Sequence, residues 1–240
     1  MAPTQSTPQP PSQWSVVVPV KRLPQAKSRL APLAGSRRAE LALAVCLDTV
    51  GAALACAKVG QVVVVTDDAT AAAALRRLPR AGEALVITAD RPDSGLNPAL
   101  RHGAKVALQH HPTFGVAAVS ADLPALRGQE LARVLTAAAA HEQAFLADAA
   151  GIGTTVYAVG RAAETTFSPG FGGQSRQRHL NQGALEVDLA GLDSVRQDVD
   201  TQEDLRAAMC LGVGAETARL LVEVSPDINI GANSSAARRR

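Results

Sequence analysis

The sequence predicts one α/β domain built on a mostly parallel, doubly wound sheet with an antiparallel edge. Between residues 14 and 141, segments that are apolar throughout alternate with helical segments. Strands of a parallel sheet are apolar on both faces because helices cover both of them. After residue 143, strand-like segments follow one another with little helix between them, as in a mixed or antiparallel edge. The predicted architecture is therefore Rossmann-like.

The elements of the first part follow from local patterns. Ser36 is placed to cap a long helix, and Pro98 stands in the first turn of another, where a missing amide is tolerated. The predicted strands span residues 14–20, 61–66, 84–89 and 115–122, and the predicted helices span 36–57, 69–78, 97–111 and 128–141.

The second part is predicted to hold four more strands and one helix. The strands span residues 144–149, 154–159, 184–189 and 194–199, and the helix spans 201–212 with Thr201 as its cap. Residues 1–13 are rich in Pro, Gln and Ser, and residues 225–240 are polar and end in three arginines, so both are predicted to be disordered tails. The domain itself is predicted to span residues 14–224.

Composition narrows the classes of function. Of the 240 residues, 47% are hydrophobic and only 2% are aromatic, which argues against a protein that binds single-stranded nucleic acid by ring stacking. The net charge of +2 gives no case for a nucleic-acid or membrane partner. The three cysteines show no metal-binding spacing, and no segment resembles a signal peptide or a membrane span. A cytoplasmic protein with reduced thiols is predicted.

Charged side chains follow the predicted strands at the points where those strands end. Ligands of doubly wound sheets bind past the carboxyl ends of the strands, so these residues are the candidates for a site. They are Lys21, Arg22, Lys27 and Arg29 after the first strand, Asp67 and Asp68 after the second, Asp122 after the fourth, and Asp198 and Asp200 near the end. Lysines neutralise phosphate oxygens and carboxylates hold hard cations, so the combination suits a polyphosphate with Mg²⁺.

Each feature also has a purely structural interpretation. Asp122 could form a turn, Asp198 and Asp200 could belong to a capping arrangement around Thr201, and the basic loop could be a solvated surface. Asp67 and Asp68 are typical turn residues. The chain lacks the GxGxxG of dinucleotide-binding folds, the GxxxxGK[ST] phosphate loop and the GxSxG of hydrolases, which disfavours those classes.

In combination, these motifs resemble a known family of nucleotidyltransferases. They are VPVKRLPQAKSRLAPL, TDD, DSGLNPALRHG, VSADLPAL, FSPGFGGQS and DVDTQEDL, within residues 14–212. They are similar to the phosphoenolpyruvate and 2-phospho-L-lactate guanylyltransferases of coenzyme F-420 biosynthesis, in the molybdopterin guanylyltransferase (MobA-like) superfamily. The resemblance implies a fold of the nucleotide-diphospho-sugar transferase type, with GTP and a three-carbon phospho-acid as substrates and Mg²⁺ as cofactor.

The resemblance also implies roles for individual residues. Lys27 matches the lysine at the α-phosphate of GTP, Asp122 matches a metal ligand, and Asp200, with Asp198 beside it, completes the metal site. Nucleotide contacts are implied for Lys21, Arg29 and Asp67, and Asn97 is the candidate at the base and ribose. Acceptor contacts are implied for Thr154, Gly172, Gly173 and Ser175. Independently, a glycine-rich turn that enters a helix at Ser175 predicts an anion site.

The reaction implied is attack by the phosphate of phosphoenolpyruvate or 2-phospho-L-lactate on the α-phosphorus of GTP, with release of pyrophosphate. Three alternatives stay open. Nucleotidyl transfer to molybdopterin would want a glycine-rich first loop, and a glycosyltransferase would want a DxD motif where the chain has SAD. A non-catalytic nucleotide-binding module would release no pyrophosphate.

Overall fold

The computed structural model describes residues 11–25, 27, 30, 35–160 and 166–224 as an α/β domain around a seven-stranded sheet. The strands are β1 (Trp14–Pro19), β2 (Val59–Val65), β3 (Leu85–Thr88), β4 (Gly115–Val119), β5 (Gln143–Ala147), β6 (Thr154–Val159) and β7 (Leu185–Glu186). Their order across the sheet is β3-β2-β1-β4-β6-β5-β7. The predicted fold class is confirmed.

The sheet changes direction at one strand. β1 pairs in parallel with β2 and β4, and β2 pairs in parallel with β3. β6 runs antiparallel to both of its neighbours, β4 and β5, whereas β5 and β7 are parallel to each other. Because β6 is reversed, its first residue, Thr154, lies at the same edge of the sheet as the carboxyl ends of β1 and β4. The predicted antiparallel edge is thereby confirmed.

Helices cover both faces of the sheet. They are α1 (Arg38–Ala55), α2 (Ala69–Leu75), α3 (Ala81–Ala84), α4 (Leu96–His110), α5 (Gly128–Ala138), α6 (Ser175–Asn181), α7 (Asp193–Arg196), α8 (Gln202–Leu211) and α9 (Ala215–Val224). Val16 and Val18 of β1 pack with α1 and α5 on one face, and Val17 packs with α4 on the other. At Gly103 of α4 an added Cβ would lie 2.4 Å from Val17, so this glycine lets the helix approach β1 closely.

Several local predictions are confirmed and others are wrong. Pro98 lies in the first turn of α4, and Thr201 caps α8. The predicted strand 194–199 is wrong, because its first residues form α7. Ser36 does not cap α1, because residues 35–37 form a short 3₁₀ turn ahead of the helix. Helix α9 was not predicted. The predicted tails 1–13 and 225–240 lie outside the described residues except for residues 11–13, so the domain bounds stay predictions.

The strand ends determine where a site can form. The chain order reverses at β1, which has β2 on one side and β4 on the other, so the loops after β1 and β4 diverge and leave a crevice. Along the described chain, no helix is long and apolar enough to cross a membrane.

Candidate active site

A cavity of 480 Å³ opens at the carboxyl edge of β1 and β4. Nine of the predicted site residues line it: Lys21, Lys27, Asp122, Thr154, Gly172, Gly173, Ser175, Asp198 and Asp200. Asp67 and Asn97 are not among its lining residues, and Arg29 lies outside the described residues. Residues that are far apart in the sequence therefore meet around one space large enough for a small-molecule substrate.

One side of the cavity, here called the carboxylate wall, consists of Asp122, Asp198, Asp200 and Lys27. The Lys27 Nζ donates to Asp122 Oδ2 at 2.5 Å and to Asp200 Oδ1 at 3.0 Å. Burial lowers the pKa of Lys27, but the two carboxylates outweigh this effect and raise it above its ordinary value. The ammonium is therefore charged, and it is the cation on which both carboxylates converge.

Asp198 lies near Asp122 and Asp200 and holds its proton more tightly than an ordinary aspartic acid does. Burial, followed by the nearby charges of Asp122, Asp148 and Asp200, raises its pKa to about 7. The carboxylate wall thus holds more negative charge than Lys27 alone neutralises. A further cation bound there would relieve that repulsion.

Backbone hydrogen bonds hold the carboxylate wall together. The Val199 amide donates to the Asp122 carbonyl at 3.1 Å, which ties the loop before α8 to the loop after β4. Thr201 and Asp204 form a capping box at the start of α8. The capping interpretation of this motif is thus correct for Thr201 and Asp204, while the Asp200 side chain remains directed to Lys27.

The first loop is attached to the second strand by Asp68. Its carboxylate accepts from the Leu23 amide at 2.9 Å and from the Ala71 amide at the start of α2, also at 2.9 Å. Asp67 accepts from the Asp90 amide at 3.3 Å and lies 3.9 Å from the Arg22 guanidinium. Asp68 therefore has the turn-forming role that the sequence suggested, and it anchors the loop that carries Lys21 and Lys27.

A second group of lining residues consists of Thr154, Gly172, Gly173 and Ser175. It is here called the acceptor wall, after the role that the family resemblance implies for it. Gly172 and Gly173 have φ values of 96° and 53°, which side chains rarely adopt, and nothing lies within 4 Å of the position of an added Cβ. The backbone of this turn is therefore open to a ligand. Ser175 begins α6, as the sequence predicted.

Asn97 fixes the acceptor wall from the side of α4. Its Oδ1 accepts from the Phe171 amide at 2.9 Å, and its Nδ2 donates to the Phe171 carbonyl at 3.1 Å. Both ends of the amide are thus engaged by one backbone unit. This arrangement favours a supporting role for Asn97 over the direct contact with base and ribose that the family resemblance implies.

Two further residues at the site were not predicted. Asp148 follows β5 and lines the cavity, where its carboxylate accepts from the amides of Ile152 and Gly153 at 2.9 and 2.8 Å. His179 of α6 is fully buried and lies behind Thr154, with its Nδ1 3.0 Å from the Thr154 Oγ1. The position of Asp148 directly after a strand was a usable signal for it. No spacing in the sequence pointed to His179.

The residues of the carboxylate wall suit a divalent cation in their chemistry. Hard carboxylate oxygens are the donors that Mg²⁺ prefers, and Asp122 and Asp200 already converge on one positive charge. Among the described residues, no three acidic, histidine or cysteine side chains form a ready-made metal site. Asp122 and Asp200 would be the residues to hold such a cation.

Comparisons with known proteins identify the family. The model of the family described as "Guanylyl transferase CofC like" matches residues 14–240. A phosphoenolpyruvate guanylyltransferase from Thermomonospora curvata is 54% identical over 92% of this chain and 94% of its own length. Another from Streptosporangium roseum is 53% identical over 89% of this chain and 92% of its own length.

A solved structure supports the fold. A protein from Desulfovibrio desulfuricans G20 assigned as a nucleotide-diphospho-sugar transferase superposes with a TM-score of 0.63 at 15% identity, over 89% of this chain and 96% of its own. The predicted type of fold and the predicted family are both confirmed. The chain belongs to the CofC-like guanylyl transferase family.

Proposed function

We propose that this protein transfers the guanylyl group of GTP to the phosphate of phosphoenolpyruvate, with 2-phospho-L-lactate as the alternative acceptor. The observation that carries the proposal is that the carboxylate wall and the acceptor wall line the same cavity. Relatives that are 54% and 53% identical to the chain carry the name phosphoenolpyruvate guanylyltransferase. The proposed substrates and the three unpaired cysteines fit the cytoplasmic location that the sequence predicts.

In the proposed reaction, a phosphate oxygen of the acceptor forms a bond to the α-phosphorus of GTP. The bond from that phosphorus to the bridging oxygen of the β-phosphate breaks, and pyrophosphate leaves with the electron pair. The acceptor phosphate is already ionised near neutral pH, so no side chain has to remove a proton from it. Positioning and charge neutralisation are sufficient for such a transfer.

Lys27 is the residue that neutralises charge on the α-phosphate. Its ammonium is charged and lies deep in the cavity, where its side chain is only 10% exposed. Lys21, on the same loop, is exposed and lines the cavity, where it would meet the outer phosphates. A positive charge in a partly dry cavity stabilises developing negative charge more strongly than it would in water.

Asp122, Asp198 and Asp200 would hold a divalent cation, for which we propose Mg²⁺. When bound, such a cation supplies charge neutralisation to the phosphates of both substrates. The task of the chain is to present these carboxylates to the cavity. The bond from Val199 to Asp122 and the capping box of α8 hold them there.

The acceptor wall receives the carboxylate of the acceptor. Its turn at Gly172 and Gly173 exposes backbone to the cavity, and the hydroxyl groups of Thr154 and Ser175 lie beside it. In phosphoenolpyruvate and 2-phospho-L-lactate, the carboxylate is attached to the carbon that bears the phosphate. One wall can therefore bind the carboxylate while the other orients the phosphate.

The test is a pyrophosphate-release panel of four nucleoside triphosphates against phosphoenolpyruvate, 2-phospho-L-lactate and 3-phosphoglycerate. We expect release with GTP, and with phosphoenolpyruvate above the other acids. Release with none of the acids but with a pterin or a sugar phosphate would contradict the proposed acceptor and keep only nucleotidyl transfer. Binding of GTP without pyrophosphate release with any acceptor would indicate the non-catalytic module instead.

A further inference from the structure

The hydrogen bonds around His179 determine which of its ring nitrogens carries the proton. Its Nε2 lies 2.9 Å from the Gly170 amide, which can only donate, so Nε2 is the acceptor. A neutral imidazole has one acceptor nitrogen and one donor nitrogen. The proton of His179 therefore sits on Nδ1, which faces the Thr154 Oγ1 at 3.0 Å.

The surroundings of His179 keep the ring neutral. Burial, and next the charge of Arg178, lower its pKa to about 4. The rings of Tyr157, Phe145 and Phe171 lie around it, with centroids 4.8, 5.4 and 5.8 Å away. An imidazolium would in addition direct an N–H at the Gly170 amide, so the charged form is disfavoured by geometry as well as by burial.

This tautomer determines the direction of the Thr154 hydroxyl. Because Nδ1–H donates to Oγ1, the Thr154 proton must point elsewhere. Among the described residues, Thr154 has no other side-chain hydrogen-bond partner, and it lines the cavity. The hydroxyl is thus prepared to donate into the cavity. A carboxylate, which only accepts hydrogen bonds, is the ligand group that matches such a donor.

The same ring also holds the glycine turn of the acceptor wall. Gly170, which donates to Nε2, lies two residues before Gly172. Arg178 donates to the carbonyls of Gly170 and Gly172, the second at 3.0 Å. His179 therefore connects Thr154, at the start of β6, to the chain segment that leads into the glycine turn.

We propose that His179 is a positioning residue for the acceptor, which orients the Thr154 hydroxyl as a donor to the acceptor carboxylate and sets the distance from Thr154 to the glycine turn. The proposal rests on the proposed function for the identity of the acceptor. The tautomer and the donor direction follow from the hydrogen bonds alone. His179 does not touch the substrate and acts through Thr154.

Two substitutions separate the two tasks of the ring. The amide oxygen of Gln in H179Q can replace Nε2 as the acceptor of the Gly170 amide, but Gln places no donor at Thr154. The amide nitrogen of Asn in H179N can replace Nδ1 as the donor to Thr154, but Asn does not reach Gly170. We expect H179Q to raise the KM for phosphoenolpyruvate about tenfold, the effect of one lost hydrogen bond to a charged group, and to leave the KM for GTP within about twofold. H179N should recover part of that loss.

Thr154→Val tests the same link without touching the buried ring, because valine keeps the shape of threonine and lacks the hydroxyl. It should raise the KM for phosphoenolpyruvate by about the same factor. In the T154V background, adding H179Q should have little further effect on this KM, because the hydroxyl that His179 orients is gone. Additive effects of the two substitutions, or equal rises in both KM values, would overturn the proposal.

A partly buried pair of the same residue types joins α4 to β3 and serves as a control. His102 Nε2 lies 3.1 Å from the Thr88 Oγ1, the same kind of pair, and neither residue lines the cavity. H102Q should leave the KM for phosphoenolpyruvate unchanged. If it raises that KM as much as H179Q does, the effect of H179Q is a general loss of packing.

The tautomer can be read in the full-length wild-type protein by ¹⁵N NMR of labelled histidines. We expect His179 as the Nδ1–H tautomer between pH 5 and 8. An Nε2–H tautomer or an imidazolium in that range would overturn the proposal even if every variant failed to fold. Because this measurement needs no substrate, failure of guanylyl transfer and failure of the His179 proposal are separate results.

Discussion

The two walls of the cavity differ in what stabilises them: the carboxylate wall contains ion pairs, and the acceptor wall is held mainly by hydrogen bonds between neutral groups. In the carboxylate wall, Asp122 and Asp200 share the Lys27 ammonium, and burial together with nearby carboxylates raises the pKa of Asp198 to about 7. The side chain of Asp200 is 57% exposed. In the acceptor wall, Ser175 is 1% exposed, and the neutral ring of His179 behind it has both nitrogens hydrogen-bonded. The carboxylate wall has excess negative charge that a bound cation would neutralise. The acceptor wall has its internal hydrogen bonds already formed and lacks only a ligand group that accepts a hydrogen bond.

This difference predicts where substitutions will be most costly. Changes in the carboxylate wall should act on turnover, because charge is compensated most strongly in the transition state. Changes in the acceptor wall should act on the affinity for the acceptor and leave turnover largely intact. The predictions below run from the largest expected effect to the smallest.

Asp122→Asn and Asp200→Ala should each lower kcat by roughly 100-fold or more, because each removes a carboxylate proposed to hold the divalent cation. Chelation of divalent cations should abolish activity in the wild type. Circular dichroism should show that both variants fold.

Glu203→Gln is the matched control for these carboxylates. Glu203 lies three residues after Asp200, and its one ion pair with a described residue is with Arg206 on the surface of α8. It should behave as the wild type. Wild-type turnover in both aspartate variants would refute the metal assignment.

Lys27→Ala should lower kcat about tenfold or more and raise the KM for GTP by less, because the ammonium acts mainly on the charge that develops at the α-phosphorus. Arginine should substitute poorly, since its planar group cannot replace a compact charge between two carboxylates. Lys105→Ala, on the exposed side of α4, is the control. An unchanged kcat in Lys27→Ala would transfer this role to Lys21.

Asn97→Ala should raise the KM for the acceptor severalfold, because the Phe171 backbone loses both of its bonds to the amide and the acceptor wall loosens. Steady-state kinetics with each substrate varied in turn measures this. The family resemblance instead predicts that Asn97→Ala raises the KM for GTP and leaves the KM for the acceptor unchanged. That outcome would place Asn97 at the base and ribose and weaken the contrast between the two walls.

The smallest effect concerns the dependence of stability on pH. Asp198 keeps its proton up to about pH 7 in the folded protein, while its ordinary pKa is 3.8, so it makes the free energy of unfolding fall between about pH 4 and pH 7. His179 stays neutral down to about pH 4, while its ordinary pKa is 6.5, so it makes the free energy of unfolding rise from about pH 4 to 6.5. Asp198 and His179 thus change the free energy of unfolding in opposite directions as the pH rises from about 4 to 6.5.

Urea unfolding in chelated buffer at several pH values can separate these slopes. Asp198→Asn should steepen the rise of stability with pH relative to the wild type, and His179→Gln should flatten or reverse it. We expect differences on the order of 1 kcal/mol across the window. Parallel curves for the wild type and both variants would show that neither group titrates as described.

The sequence was sufficient to predict which residues form the carboxylate wall and some of those that form the acceptor wall. Lys27 lies in the loop after β1, and Asp122 lies in the loop after β4. Because the carboxyl ends of parallel strands share one edge of the sheet, the proximity of these two residues could be predicted from the order of strands and loops along the chain. The assignment of Asp200 depended on its motif near the end of the chain. That the Lys27 ammonium bridges the two carboxylates could not be foreseen, since Asp122 and Asp200 lie 95 and 173 positions away in the chain.

The supporting residues could not be predicted for a simple reason. His179 is 25 positions from Thr154, and Asn97 is 74 positions from Phe171, so neither contact leaves a local pattern. The error at residues 194–199 has a similar cause. The alternation there suggests a strand, but the Ser194 amide donates to Glu130 and its hydroxyl accepts from the Arg127 amide, and these contacts with the start of α5 hold a helical turn.

The most direct test of the two-walled cavity is mass spectrometry of the product formed from GTP and phosphoenolpyruvate. We predict a species with the mass of GMP joined to phosphoenolpyruvate through a pyrophosphate bond, formed in equal amount with released pyrophosphate and absent in the Asp122→Asn variant. Pyrophosphate formed together with free GMP, and with no guanylylated acid under any condition, would contradict the account.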